Sequence, residues 1–237
     1  EHGGAPWLAV TGTNGKTTTV QMLTSILRAA GLRACSAGNV GTPILEAVVH
    51  PEPFDVIAVE LSSFQLHWSH SLAPRASACL NVAPDHVDWH GSFEEYALAK
   101  GKVYANTEVA CVYNVQDERT MHLVEDAEVR DGCRAVGFTL GVPALSEVGL
   151  VGDVLADRAF VEQRRTSAAE LATLDDLSGG GPSPAPHLVA NALAAIAACA
   201  DAGFDVEAVA AGIASSGGVP GRFERIEEGQ DFTVVVD

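Results

Sequence analysis

The sequence predicts an α/β fold: a mostly parallel central sheet flanked by helices, with a small antiparallel flap towards its end. Three observations carry this. Short β-branched runs alternate with amphipathic stretches from about residue 7 to residue 138, as repeated βαβ units do. A glycine-rich turn joins the first run to the first amphipathic stretch, and from about Val142 to Leu177 the pattern changes to two short alternating runs. A chain of 237 residues is long enough to bury one large core, and a single main domain over residues 1–237 is expected.

In chain order, strands are expected at residues 7–10, 33–36, 55–60, 76–82, 109–114 and 134–138. Helices are expected at 16–30, 43–50, 93–104 and 118–124, with Gly31 as the clearest helix stop. Residues 142–177 form the flap, with strands at 148–151 and 154–161. Residues 178–186, rich in Gly and Pro, read as a loop leading into helices at 187–202 and about 206–214. The chain lacks an initiator Met and stops on the apolar run 232–237, as a fragment of a longer protein would.

Lys and Arg number 14 against 31 Asp and Glu, a net charge of −17. Such a charge repels nucleic acid and anionic membrane surfaces, so neither is expected as a partner, and any anionic ligand must be held locally. The five cysteines are scattered without Cys-x-x-Cys spacing and read as reduced thiols of a cytoplasmic protein. No apolar run reaches the length of a membrane span, and no signal peptide is evident.

The turn is Thr11-Gly12-Thr13-Asn14-Gly15-Lys16-Thr17-Thr18. Placed between a strand and a helix, it points backbone N–H groups and the positive end of the helix at one spot, which suits phosphate. Lys16 is then placed to meet the outer phosphates of a nucleotide and the Thr17 hydroxyl to ligate Mg²⁺. Val10 stands where the usual phosphate-loop pattern has glycine.

Ser92-Phe93-Glu94-Glu95 is a capping box that sets the start of a helix. On that helix Lys100 falls on the face of Phe93, Tyr96, Ala97, Val103 and Tyr104, so its amine snorkels, pairs with an acid or loses its proton. Lysine occurs only at 16, 100 and 102, against 11 arginines. At the expected strand ends lie Gly38–Pro43, Glu60–Gln65 and Asn81–Asp88. Ligands gather at that edge of an open α/β sheet, which makes Glu60, Asp85, His86 and Asp88 candidates for a shared cation site; the alternatives are Glu60 as the first polar residue after a buried strand, Asp85 and Asp88 as turn or capping residues, and His86 as a surface histidine.

These motifs resemble the ATP-binding central domain of the Mur ligases. The residues that carry the resemblance are TGTNGKTT at 11–18, GNVGTP at 38–43, ELSSFQL at 60–66, DHVDWH at 85–90, Tyr96-x-x-Ala99-Lys100, His187-x-x-x-Asn191-Ala192, and Gly221-Arg222-Phe223-Glu224. ELSSFQL with GNVGTP is most similar to members that add D-glutamate to UDP-N-acetylmuramoyl-L-alanine; the diaminopimelate- or lysine-adding members typically have Ser-Ser-His where this chain has Ser62-Ser63-Phe64.

The resemblance implies an ATP-dependent amide ligase that works through an acyl phosphate in peptidoglycan synthesis, with folylpolyglutamate synthase as a related alternative. It implies ATP held by Gly12, Thr13, Asn14, Gly15, Lys16, Thr17 and Thr18, with Asn191 and Arg222 near base and ribose. It also implies two Mg²⁺ sites built from Thr17, Glu60, His86 and a carbamylated Lys100, and Asn39 and Ser62 near the reacting carboxylate. Leu188 departs from the asparagine that some members have, and Asp237 is the candidate for an acid beside the ribose. The family's UDP-binding N-terminal domain and its C-terminal domain are absent, so the fragment alone is expected to be inactive.

Overall fold

A computed structural model describes residues 4–179, 181–199, 206–216, 224–226 and 234–236. The first strand, β1 (Trp7–Thr11), runs into helix α1 (Lys16–Ala29), followed by β2 (Ala34–Gly38), α2 (Ile44–Val48), β3 (Val56–Glu60), α3 (Ser63–Trp68) and β4 (Ala76–Cys79). Then come α4 (Val87–His90), α5 (Phe93–Gly101), a 3-10 turn at Lys102–Tyr104, β5 (Ala110–Asn114), α6 (Glu118–Glu125) and β6 (Arg134–Phe138). The remainder comprises β7 (Glu147–Val151), β8 (Val154–Asp157), β9 (Ala169–Thr173), α7 (Leu174–Ser178), α8 (Pro186–Cys199), α9 (Val206–Ala214), β10 (Glu224–Ile226) and β11 (Val234–Val236).

Nine strands form one sheet in the order β2-β3-β1-β4-β5-β6-β7-β8-β9, parallel as far as β7 and antiparallel from β7 to β9. Strand alternation sends residues to two cores. Leu8, Val10, Val56, Ala58, Ala110 and Val112 pack on the face covered by α1, α8 and α9. Ala9, Ile57, Val59 and Cys111 pack on the opposite face with Leu66, Tyr96 and Tyr104. Both faces are covered, which is why these strands read as near-continuous apolar runs. Within α1, Leu23, Ile26 and Leu27 are fully buried, each stabilising by about 1.5–3 kcal/mol. Gly31 ends that helix as expected, at φ 83°, with its N–H donating to Arg28 O.

The antiparallel flap is the far end of the main sheet, since β6 pairs with β7. Its second run ends at Asp157, earlier than the expected 161, because the Asp157 carboxylate accepts the N–H groups of Ala159 (2.6 Å) and Phe160 (3.1 Å) and turns the chain. Strand β9 carries the run Ala-Glu-Leu-Ala-Thr, too poor in β-branched residues to read as a strand. Strand β4 stops at Cys79, three residues short of expectation, where the chain turns to the phosphate loop: Leu80 N–H reaches Thr11 O and Thr13 N–H reaches Asn81 O. The helix expected at 93–104 tightens into the 3-10 turn after Gly101. Of the expected loop 178–186, Ser178 belongs to α7 and Pro186 opens α8, where its missing N–H costs nothing. Residues 200–202 of the expected long helix lie outside the described residues. Of the terminal run, Val234–Val236 form β11, antiparallel to β10.

All five cysteines are free thiols, and no helix among the described residues is long and apolar enough to cross a membrane. Helices α1 and α9 meet at Gly212, where an added Cβ would strike the Ile26 Cα and lie 2.7 Å from its backbone N. Backbone atoms cannot swing aside as a side-chain tip can. Gly212→Ala is therefore expected to destabilise the fold by about 2 kcal/mol, measured as a lowered urea midpoint at unchanged m-value.

Candidate functional site

Strand β1 lies between β3 and β4, with Val10 beside Glu60 and Thr11 beside Cys79. The connection from β1 leads to β2 on one side, whereas that from the adjacent β3 leads to β4 on the other, so a crevice opens at their carboxyl ends, the usual ligand position in such sheets. The phosphate loop fills that crevice. Gly12 (φ 155°) has no room for a side chain, because a Cβ would lie 3.0 Å from Leu80 Cβ. Gly15 (φ 85°) caps α1, and a Cβ there would strike the Asn191 side chain. Lys16 Nζ curls back to donate to Gly12 O (3.1 Å) and Thr13 O (2.9 Å).

Glu60, only 2 % exposed, is the last residue of β3. Thr17 Oγ1 donates to its Oε2 (2.9 Å) and Asn39 Nδ2 to its Oε1 (3.0 Å), and the Asn39 N–H donates to the Glu60 carbonyl (3.0 Å). Neutral donors compensate a buried carboxylate only partly, and a cation would do so more fully. The hydroxyl and carboxylate oxygens form a hard donor set that fits one Mg²⁺ completed by phosphate oxygens and water. Among the described residues, no group of three or more His, Cys, Asp or Glu is arranged to hold a metal ion.

Lys100 lies on the apolar face of α5 and is 2 % exposed. Ser92 Oγ accepts the Glu95 N–H and so fixes the start of that helix. The Lys100 ammonium donates to Gly12 O (2.7 Å) and sits 4.7 Å from the centre of the Tyr96 ring. Burial lowers its pKa from 10.5 to about 8. Of the alternatives for this lysine, a backbone carbonyl and an aromatic face are the partners it takes. His86, at φ 49° before α4, is half-exposed, with its Nε2 3.5 Å from Asp85 Oδ2 and its ring 4.9 Å from that of Phe64. Ser62 caps α3 in a capping box with Gln65. Thus Thr17, Asn39 and Glu60 are joined directly, whereas Lys100 reaches the loop from beneath and His86 and Ser62 bond within their own segments.

A cavity of about 850 Å³ is lined by Thr13 to Thr18, Asn39 and Glu60 and also by Leu177, His187, Leu188 and Asn191. Leu188 lends apolar surface to this lining. Asn81, Asn114 and Phe138 also line the cavity and were not among the sequence candidates for nucleotide contact. Asn81 and Asn114 could have been found as polar residues closing apolar strands. Arg222 and Asp237 lie outside the described residues.

The family model for the Mur ligase middle domain matches residues 10–199. This chain belongs to that family. It is 57 % identical over 211 residues to the UDP-N-acetylmuramoylalanine–D-glutamate ligase of Streptomyces avermitilis, covering 89 % of this chain and 44 % of the relative. With the enzyme of the same name from Thermobifida fusca it is 49 % identical over 233 residues, covering 97 % of this chain and 49 % of that one. This Mur ligase middle domain therefore spans under half the length of these relatives.

Two solved structures share the fold. A UDP-N-acetylmuramoyl-L-alanyl-D-glutamate–2,6-diaminopimelate ligase superposes with TM-score 0.73 at 20 % identity, covering 95 % of this chain and 49 % of that chain. A bifunctional folylpolyglutamate synthase/dihydrofolate synthase gives 0.64 at 16 % identity, covering 99 % and 62 %.

Because the Lys100 pKa is lower folded than unfolded, the unfolded chain holds the extra proton between about pH 8 and 10.5, and this group makes stability rise with pH across that window. The advantage of Lys100→Met over the native chain is expected to shrink by on the order of 3 kcal/mol from pH 8 to 10.5, read from denaturant unfolding at each pH.

Proposed function

We propose that this chain is the ATP-binding middle domain of a ligase that adds D-glutamate to UDP-N-acetylmuramoyl-L-alanine, through an acyl phosphate, in peptidoglycan synthesis in the cytoplasm. The observation that carries the reading is the buried Glu60 carboxylate joined to Thr17 of the phosphate loop and to Asn39. The identity to the named D-glutamate ligases supports this choice of substrates. Five free thiols suit a reducing compartment.

In the proposed reaction the loop amides and Lys16 hold the triphosphate and stabilise charge on the transferring phosphoryl group. The substrate carboxylate attacks the γ-phosphorus and ADP leaves. The amine of D-glutamate then attacks the acyl carbon, phosphate departs, and the amine proton passes to solvent or a nearby base. Asn39 and Ser62 are placed in this reading near the reacting carboxylate, and Asn191 and Arg222 near base and ribose. Thr17 and Glu60 would hold a first Mg²⁺, and Glu60, His86 and Lys100 a second; the ions would neutralise phosphate charge. A neutral Lys100 amine is open to carbon dioxide: the N–C bond forms, one proton leaves nitrogen, and the carbamate gains a carboxylate-like oxygen ligand. Its lowered pKa favours the neutral form that this step needs.

The test uses the full-length protein and measures phosphate release from ATP. Release with UDP-N-acetylmuramoyl-L-alanine plus D-glutamate is expected; release only with a folate plus glutamate would transfer the assignment to a folylpolyglutamate synthase-like ligase. The 237 residues alone are expected to bind nucleotide without turnover. Glu60→Gln and Lys16→Met are each expected to lower kcat by roughly 10²–10³. Lys100→Ala is expected to abolish turnover with no recovery in bicarbonate, and full activity of that variant would refute the ligand role.

A further inference from the structure

The phosphate loop is gripped from the side by the segment that follows β4. Asn81 uses its whole carboxamide on the backbone of one residue: Oδ1 accepts the Asn14 N–H (2.9 Å), and Nδ2 donates to Asn14 O (3.1 Å). Its backbone carbonyl accepts the Thr13 N–H (3.0 Å), and two residues on the Ala83 N–H donates to Thr13 Oγ1 (3.0 Å). Thr13 Oγ1 also lies 3.0 Å from the Tyr96 hydroxyl. The pairing between β1 and β4 thus continues past the strand ends, with a side-chain amide replacing a backbone one.

The grip falls where the loop has least stiffness of its own. Thr13 and Asn14 lie between Gly12 and Gly15, both at positive φ, and glycine restricts the chain less than any other residue. Without a partner this two-residue span would sample many orientations, and a phosphate would have to order it on binding. The Asn14 N–H is thus engaged by Asn81 and is not offered to a phosphate in this arrangement. The segment that grips the loop leads directly to Asp85 and His86, so the two halves of the site are held in one frame.

We propose that Asn81 is a positioning residue for nucleotide binding: by clasping the Asn14 peptide it presets the phosphate loop, and it thereby couples the loop to the segment bearing His86. This rests on the ATP-site reading above, and the two are tested separately. The 237-residue chain, Asn81→Ala and Asn81→Asp are compared by amide hydrogen exchange of Asn14 without ligand, by titration with Mg·ATP, and by thermal unfolding.

In Asn81→Ala, Asn14 protection is expected to be lost and the ATP Kd to rise about tenfold, the scale of one hydrogen bond, at nearly unchanged Tm. Asn81→Asp keeps the acceptor, so Asn14 protection is expected to persist while loss of the Nδ2 donor still weakens ATP. Weakened ATP binding with unchanged Asn14 exchange in Asn81→Ala would mean direct contact with the nucleotide and overturns the proposal. Native affinity in Asn81→Ala also overturns it, and so does unfolding of both variants, which would make Asn81 a determinant of the fold. If the native chain fails to bind Mg·ATP, the ATP-site reading fails, and the exchange measurement still decides whether the clasp exists.

Discussion

A parallel strand flanked by two strands that come later in the chain leaves a gap where its own connection must depart, and β1 is such a strand. Its neighbours β3 and β4 end beside it, so Glu60 and Asn81 stand on either side of the loop that leaves Thr11. Neither is near the loop in sequence. Their approach follows from strand order alone, and strand order follows from the apolar faces that β1, β3 and β4 share with the helices above and below. The chemistry at the loop is therefore a by-product of how the core is filled.

The carbonyl of Gly12 concentrates the electrostatic conflict of the site, because Lys16 and Lys100 both donate to it. Two ammonium groups on one acceptor repel, and Lys16 adds to the burial that lowers the Lys100 pKa. The ring of Tyr96 supplies a negative face that offsets part of this cost. In an isolated helix the same lysine would reach for water. Here the side chain is 2 % exposed and turns to Gly12 O instead.

Much of this was legible in the sequence, and what was not has physical causes. The phosphate loop and the place of Lys100 on the apolar face of its helix follow from local rules, strand-turn-helix order and the 3.6-residue period. The bond from Thr17 to Glu60 needs the sheet order, which local pattern does not contain. Short elements escaped: α3 is a single turn and a half secured by the Ser62–Gln65 capping box, and β9 is held by pairing with β8 despite weak strand propensity. Asn81 was visible only as the first residue of a strand-end cluster. Its use on Asn14 depends on the loop passing within reach, a tertiary fact.

The packing of α1 against α8 and α9 has a consequence for how the molecule comes into being. The helix that carries Lys16 and Thr17 leaves the ribosome well before Leu193, Ile196 and Ile213, which cover its apolar side. Until then Leu23 and Ile26 have no permanent cover, and the phosphate loop at the helix start has no fixed base. The phosphate loop thus becomes a site only once α8 and α9 have been made, and a growing chain cannot commit to a nucleotide before those helices are in place.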